Sequence, residues 1–340
     1  MGLMVTIYDI AEKTGFSAPT ISKALNGTGR LSRSTRDKIL AVAQEMGYET
    51  NMTAKSLVTK KSYLIGVIFE DNKMFTGFEH PLFGGVLNRF RSQIELAGYD
   101  LIFLSRKFNL SYQNHAKFRG VDGIVIINPH EDDIELLARI NREGVPCVST
   151  NDYIPGVPTV LSDNEQDAYK GTEYLIGKGH RRIAFLGGPP SEYSPATAER
   201  YRGFRKCLAD KGIAFNEELY EECKFWDMHS GYEGFERLYK RSSDFTALFC
   251  ADDMIALGVV SYAEAHGIKI PDKISLLGYD DDRSAAFCRP GLTTFRQNKI
   301  LIADLAAEIL MQRLVGLPSP ETVRIPAEFI QRDSVKTLTP

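Results

Sequence analysis

The chain has 340 residues, 43% of them hydrophobic and 25% charged, with a net charge of −3. That is ordinary globular composition with room for two or three domains. No run of 18 apolar residues occurs, and the opening MGLMVTIYDIAEKTG lacks the basic start and apolar core of a secretory signal, which speaks against a membrane span and against export. Five scattered cysteines (Cys147, Cys207, Cys223, Cys250 and Cys288) form no CxxC pair, so thiols used as small apolar residues in a cytoplasmic protein are expected.

Charge is spread unevenly. Residues 1–61 carry nine Lys and Arg against five Asp and Glu, a balance of +4, and the remainder of the chain carries −7. A basic head on an acidic body fits a nucleic-acid-binding module joined to another function, although a solvated basic surface gives the same balance. The head reads as three short helices. Thr6 and Asp9 make an acidic capping box ahead of Ile7, Ile10 and Ala11, and Gly15 ends that helix. Ser17 is the expected N-cap of the second helix, with Pro19 in its first turn and Ile21, Ala24 and Leu25 on one face. Ala18, Pro19, Ser22 and Lys23 are left outside, and Asn26-Gly27 stops the helix. Ser32 caps a third helix, with Ile39, Leu40, Ala43 and Met46 expected inside. Two short helices joined by a tight turn and braced by a third follow the helix-turn-helix plan, whose second helix enters the major groove. Small outward residues let the backbone approach the bases, and Lys23 can reach a base edge or a phosphate.

The stretches TIYDIAEKTGFSAPTISKALNG and TRDKILAVAQEMGYETNMTAKSL closely resemble the head of LacI/GalR transcription regulators, without a gap from Thr6 to Leu57. The resemblance implies that Ala18, Pro19 and Lys23 carry most base discrimination. It implies that Tyr8, Ser17, Thr20, Ser22 and Asn26 hold phosphates or the turn, and Thr6 is counted with the DNA-binding residues. In NMTAKSLVT, too short for a stable helix alone in water, Ala54 and Leu57 share one face. The resemblance makes this a hinge that folds on DNA and levers Leu57 into the minor groove, an apolar wedge at a base step.

From Tyr63 onward short apolar runs (YLIGVIF, DLIFLS, DGIVIIN, VPCVST, RRIAFLGG, TALFCAD and ISLLGYD) alternate with amphipathic stretches at Leu82–Ala97, Asp133–Glu143, Asn164–Lys178, Ala196–Asp210, Gly231–Arg241, Asp252–His266 and Lys299–Leu314. Such alternation predicts α/β architecture with doubly wound parallel sheets. Seven units exceed one lobe, and a break falls near Leu161. The expected organisation is a helix-turn-helix domain at 1–50, a hinge at 51–61 and a two-lobed body at 62–340. Lobe 1 takes about 62–161 and 293–325, and lobe 2 about 162–292 and 326–340. This resembles the periplasmic-binding-protein-like body of LacI/GalR regulators. Ligands of such sheets bind at the carboxyl ends of the strands, here between the lobes.

Enzyme signals fail. GTEYLIGKG mimics a phosphate-binding loop, but its glycine spacing is one residue too long and no Ser or Thr follows Lys178. His130-Glu131 lacks a second His, no GxSxG occurs, and Asp280-Asp281-Asp282 lacks the spacing of a calcium loop. No catalytic residue, metal ligand or cofactor is assigned. Polar and aromatic residues do gather at strand ends: Asn151, Arg200, Trp226 (the sole Trp), Asp252 and Asp280. Carboxylates and Arg suit vicinal hydroxyls, and an aromatic face stacks on the C–H side of a sugar. The family resemblance implies that Arg200, Trp226, Asp252 and Asp280 line an effector cleft, with Phe83 and Gln297 as weaker matches. The expected protein is a cytoplasmic, sugar-responsive repressor that acts as a homodimer on a pseudo-palindromic double-stranded operator. Its rivals are a solute-binding protein without DNA function and a regulator controlled by a protein co-regulator. The basic head and the absence of a signal sequence argue against the first.

Overall fold

The computed structural model describes residues 5–48, 56, 59–70, 77–105 and 111–338. Ala54 and Leu57 lie outside the described residues. The chain divides into two compact units, Met1–Tyr63 and Leu64–Pro340.

The first unit contains helices α1 (Ile7–Thr14), α2 (Ala18–Leu25) and α3 (Arg33–Glu45) around a core of Ile10, Ile21, Ala24, Ile39 and Ala43. At the start of α1 the Thr6 backbone N–H and hydroxyl donate to the Asp9 carboxylate at 2.7 and 2.8 Å. Those two bonds hold the Asp9 carboxyl below its usual range. Gly15 closes the helix in the left-handed region (φ 76°), which brings its N–H to the Ala11 carbonyl at 2.9 Å. One expectation holds in position but not in bonding, and another is corrected. Ser17 sits at the N-cap of α2, but its hydroxyl bonds the Thr20 hydroxyl at 2.9 Å and caps no backbone N–H. Pro19 has no N–H to offer, and the N–H of Thr20 already donates to the Ser17 carbonyl at 2.8 Å. Leu40 is 41% exposed, because the buried stripe of α3 runs through Ile39, Val42, Ala43 and Met46 at i, i+3, i+4 and i+7.

The second unit holds two parallel sheets. The larger combines β1 (Leu64–Phe69), β2 (Asp100–Phe103), β3 (Gly123–Ile127), β4 (Cys147–Thr150), β5 (Thr159–Ser162) and β11 (Thr322–Ile325) in the order β11-β5-β4-β3-β1-β2. Val67 pairs with Phe103 on one side and Val125 on the other. The smaller sheet combines β6 (Ile183–Gly187), β7 (Tyr220–Glu222), β8 (Ala247–Cys250) and β9 (Ser275–Leu277) in the order β7-β6-β8-β9. Strands β3 to β6, β8 and β9 are buried throughout, as parallel sheets covered on both faces require. Phe185 and Phe249 join the core on one face of the smaller sheet, and their neighbours Leu186, Leu248 and Cys250 join the core on the other.

Helices α4 (Phe83–Leu96), α5 (Tyr112–Arg119), α6 (Ile134–Arg142), α7 (Asn164–Gly177), α8 (Ala196–Asp210), α9 (Met228–Arg241), α10 (Asp253–Ala265) and α11 (Lys299–Leu314) connect the strands. The helix α5 and the strands β5, β7, β10 (Thr294–Arg296), β11 and β12 (Glu328–Ile330) fall outside the stretches read as elements from sequence. All are short or polar, so their periodicity is weak. The look-alike phosphate loop is the end of α7 up to Gly177 followed by a turn at Lys178-Gly179, and Gly171 permits close packing: a Cβ there would sit 2.8 Å from Phe295 and 2.9 Å from Leu277.

The chain passes between the sheets three times, after β5, after β10 and after β11. These crossings are tied together. The Ser162 hydroxyl donates to Gln297 Oε1, the Asp163 N–H to the Ile325 carbonyl at 2.9 Å, and the Ala327 N–H to the Asp167 carboxylate at 3.0 Å. β10 and β12 form an antiparallel pair, with Thr294 opposite Ile330.

Candidate functional site

Two surfaces carry polar chemistry, one in each unit. In the head, α2 buries Ile21 and Ala24, while Ser17, Pro19 and Lys23 are exposed and Ala18, Thr20 and Ser22 are partly so. The Asn26 amide donates to the Ser22 carbonyl at 2.9 Å and stays near its hydroxyl at 3.2 Å, which fixes the end of the helix. Tyr8 on α1 is 71% exposed. The outer face of α2 is therefore narrow, small-chained at its N-terminal end and equipped with one cation. Such a face admits close approach of a groove wall to the helix backbone.

The second surface is a cavity of about 160 Å³ at the carboxyl ends of strands from both sheets. Phe83, Asn151, Arg200, Trp226, Asp252, Asp280 and Gln297 all line it. Arg200 on α8 is 4% exposed. Its Nε donates to Asn164 Oδ1 at 2.9 Å, another nitrogen donates to the Ala251 carbonyl at 2.5 Å, and the guanidinium lies 3.6 Å above the Tyr279 ring. It approaches Asp280 at 4.0 Å. Asp280 also accepts from the Gln297 amide, so a crossing segment between the sheets is bonded to the cavity wall. Asp252 is the N-cap of α10, and its Oδ1 accepts from the backbone N–H of Met254 at 2.6 Å and of Ile255 at 3.2 Å. Burial pushes its carboxyl well above the usual range, and the neighbouring Asp280 charge adds to this. Behind it Asp253 is fully buried, with its carboxylate accepting from the Thr294 hydroxyl at 2.7 Å and the Asp282 N–H at 2.9 Å. Burial, then the Asp280 charge, pushes it up to about 8.

The indole of Trp226 lies against Gly188, where a Cβ would come within 2.4 Å of the ring; glycine is the residue that lets this aromatic wall form. Phe83 opens α4 with its ring stacked on His80 at 4.4 Å. Asn151 ends β4 with a left-handed backbone (φ 71°), and its buried amide nitrogen has no hydrogen-bond partner. Asn128 (φ 49°) and Asp280 (φ 123°) are strained in the same way at other strand ends. Strained, under-satisfied polar residues gathered at one cavity are a mark of a functional site. The Asp280–Asp282 run is otherwise occupied: the Asp281 carboxylate takes Arg296 at 2.7 Å and Arg332 at 2.6 Å.

Sequence reading missed Glu70, Asn128 and Asn164 in this cavity. Glu70 and Asn128 follow the runs YLIGVIF and DGIVII, so the strand-end rule applied to every strand finds them; Asn164 carries no such signal.

The family models match in two blocks: the lacI family of bacterial regulatory proteins over residues 6–51 and a periplasmic binding protein-like domain over 172–335. A probable HTH-type transcriptional repressor ExuR of Bacillus subtilis (strain 168) is 31% identical across 99% of this chain and all of its own length. The chain belongs to the lacI family. A family repressor, PurR of Photobacterium profundum, is 32% identical over 98% of this chain and all of its own. Among solved structures, the Lac repressor dimer bound to operator and the anti-inducer ONPF matches with TM-score 0.77 and 25% identity, covering 98% of this chain and all of that one. The family regulator CelR in complex with cellobiose matches with TM-score 0.71 and 26% identity, over 97% and 99% of the two chains.

Proposed function

We propose that this protein is a cytoplasmic repressor that binds double-stranded operator DNA through its 1–50 domain and adjusts that binding to a sugar held in the cavity of its body. The observation that carries the reading is the outer face of α2: a short helix on a well-packed three-helix base, offering small residues and Lys23 to the outside. Ala18, Pro19 and Lys23 face the bases in this reading; Thr6, Tyr8, Ser17, Thr20, Ser22 and Asn26 position the head on phosphates or support the turn. Residues 51–61, with Ala54 and Leu57, form the hinge. Residues 62–340 hold the effector and the partner copy, with lobes 62–161 plus 293–325 and 162–292 plus 326–340. A homodimer supplies two heads related by a two-fold axis, which requires a pseudo-palindromic site.

The sugar reading rests on Trp226, the free amide nitrogen of Asn151 and the Asp280–Arg200–Asn164 array around one cavity. A polyol offers C–H faces to the indole and hydroxyls to the amide and carboxylates. Regulation requires the sugar to favour one lobe arrangement and the operator to discriminate the same two.

The test combines duplex selection with titration. The full chain should enrich a pseudo-palindromic duplex from a random pool, and a mono- or disaccharide should change its affinity for that duplex while shifting Trp226 emission. Trp226→Ala should weaken sugar binding by about 2–4 kcal/mol, the scale of a buried aromatic anchor, and leave sugar-free operator binding unchanged. Failure to enrich any duplex would sink the DNA reading. A sugar that binds Trp226→Ala as tightly as the parent would sink the cavity assignment.

A further inference from the structure

The loop after β4 and the edge strand β11 belong to the larger sheet, yet both reach across to one residue on the smaller sheet's side, Glu199 of α8. Arg324 of β11 donates to the Glu199 carboxylate through two nitrogens, at 2.8 and 2.7 Å, and the Tyr153 hydroxyl of the loop donates to it at 3.1 Å. Arg324 also donates to that hydroxyl at 2.5 Å, so the three side chains close a ring. The Tyr153 backbone N–H makes a further crossing, to the Tyr193 carbonyl at 2.9 Å in the loop after β6. Glu199 is 4% exposed. Burial alone would raise its carboxyl, but the Arg324 bonds outweigh burial and hold it below the usual range. Arg202 lies 3.7 Å from the same carboxylate, but it sits on the same helix and pairs with Glu165 at 2.6 Å. The bidentate cation that Glu199 depends on therefore comes from the other sheet.

Asn164 joins this ring to the effector cavity, which it lines. Its Oδ1 accepts from Arg200 Nε at 2.9 Å, and its Nδ2 donates to Glu199 at 3.4 Å. The two partners settle that orientation. A guanidinium has only donors and an ionised carboxylate only acceptors, so the flipped amide would set donor against donor and acceptor against acceptor. A ligand that engages Arg200, or takes the Asn164 amide, thereby acts on Glu199.

We infer that Glu199, Arg324 and Tyr153 form a latch between the two lobes and that Asn164 connects it to the cavity. The latch holds the lobes in the arrangement of this structure, and a ligand in the cavity shifts that arrangement by tightening or loosening it. A contact made in one arrangement only biases the equilibrium by its own free energy. Glu199 and Arg324 are thus positioning residues, acting on the ligand site through Asn164. The response to a sugar rests on the sugar reading; the latch stands without it.

Hydrogen exchange of the full chain, resolved to single amides, tests the latch with neither sugar nor DNA present. The Tyr153 N–H is the reporter, because its acceptor Tyr193 is in the other lobe. Arg324 reaches solvent, so its truncation opens no core. Arg324→Ala and Glu199→Gln should each speed Tyr153 exchange by at least about tenfold, the double variant no further, and Arg324→Lys should fall between. The Asn151 N–H, bonded to the Val160 carbonyl within the larger sheet at 3.1 Å, should keep its protection. Arg202→Ala removes a cation beside Glu199 without touching the crossing and should leave Tyr153 unchanged. Unchanged Tyr153 exchange in Arg324→Ala, or a loss shared equally by Asn151, overturns the latch. Asn164→Ala should speed Tyr153 exchange as well, by less; no change there overturns the link to the cavity. On the duplex that the full chain selects, Arg324→Ala should alter sugar-free affinity by at least about threefold, which Trp226→Ala does not. Equal affinity of Arg324→Ala and parent overturns the regulatory role. If no duplex is selected and no sugar binds, the DNA and sugar readings fall, and the exchange data alone decide the latch.

Discussion

The head and the cavity both present polar side chains, and they hold them by opposite means. In the head the partners are sequence neighbours: Thr6 with Asp9, Ser17 with Thr20, Asn26 with Ser22. In the cavity, apart from the Asp252 helix cap and the local bonds of His80, they are remote: Arg200 with Asn164 and Ala251, Gln297 with Ser162 and Asp280, Asn128 with the Glu70 carbonyl. A side chain held by its own helical turn can change with little effect on the rest of the molecule. A side chain held from several distant segments is also part of what holds those segments together. Function and stability should therefore separate cleanly in the head and poorly in the cavity.

Arg200→Ala is the strongest way to break that contrast. It strips a buried charge from Asp280 and leaves the Asn164 and Ala251 oxygens short of a donor, so urea unfolding followed at Trp226 should show a loss of about 3–5 kcal/mol. A loss below about 1 kcal/mol would mean that the cavity wall is not structural. Next is Ile21→Ala, which empties the centre of a head core whose buried described residues number five. A cost of about 2–5 kcal/mol exceeds what so small a core can spare. Operator binding and helical signal from the head should vanish while the Trp226 transition of the body stays in place. Lys23→Ala probes the outer face of the same helix. It should leave thermal stability within about 0.5 kcal/mol. Specific binding should fall by about 1–3 kcal/mol if Lys23 reads a base, or all sequences should weaken alike if it holds a phosphate.

The smallest effect is a pH slope. Asp253 titrates near 8 in the folded protein, against about 3.9 unfolded, so between those values the folded state binds more protons. Stability should fall as pH rises from about 4 to about 8, by at most about 1.4 kcal/mol per pH unit from this group. Asp252 and Asp167 are raised by burial and act in the same direction. Asp253→Asn keeps an acceptor oxygen for the Asp282 N–H and turns its NH2 to the Thr294 hydroxyl, which can accept, and should flatten its part of the slope in denaturation curves taken across that range. An unchanged slope would assign the effect to the other acids.

Much of this was legible in the residues. Thr6-Asp9, Gly15 and the Ser32 cap mark the first and third helices because capping acts over three or four residues. Leu40 falls outside the buried stripe because its neighbour Ile39 already occupies that turn of the inward face of α3. Gly171–Gly177 lacks the glycine spacing of a phosphate loop, and it is a helix packed on Phe295 and Leu277. Five strands and one helix were not readable, since three- or four-residue strands of mixed polarity gain their stability from the sheet beside them.

Local physics determined the head: caps, breakers and a 3.6-residue stripe specify three helices and leave one face of α2 outside. The same physics determined the strand–helix alternation of the body, and with it the α/β class and the strand ends as places to look. Tertiary structure alone decided what the strand ends do together. It set Arg200 over Tyr279, tied Gln297 to both Ser162 and Asp280, and left the side-chain amide nitrogen of Asn151 without a partner. Distance in sequence is the reason. A helix cap closes over one turn and is written in adjacent residues, whereas the cavity exists only after three crossings between two sheets have brought its walls together.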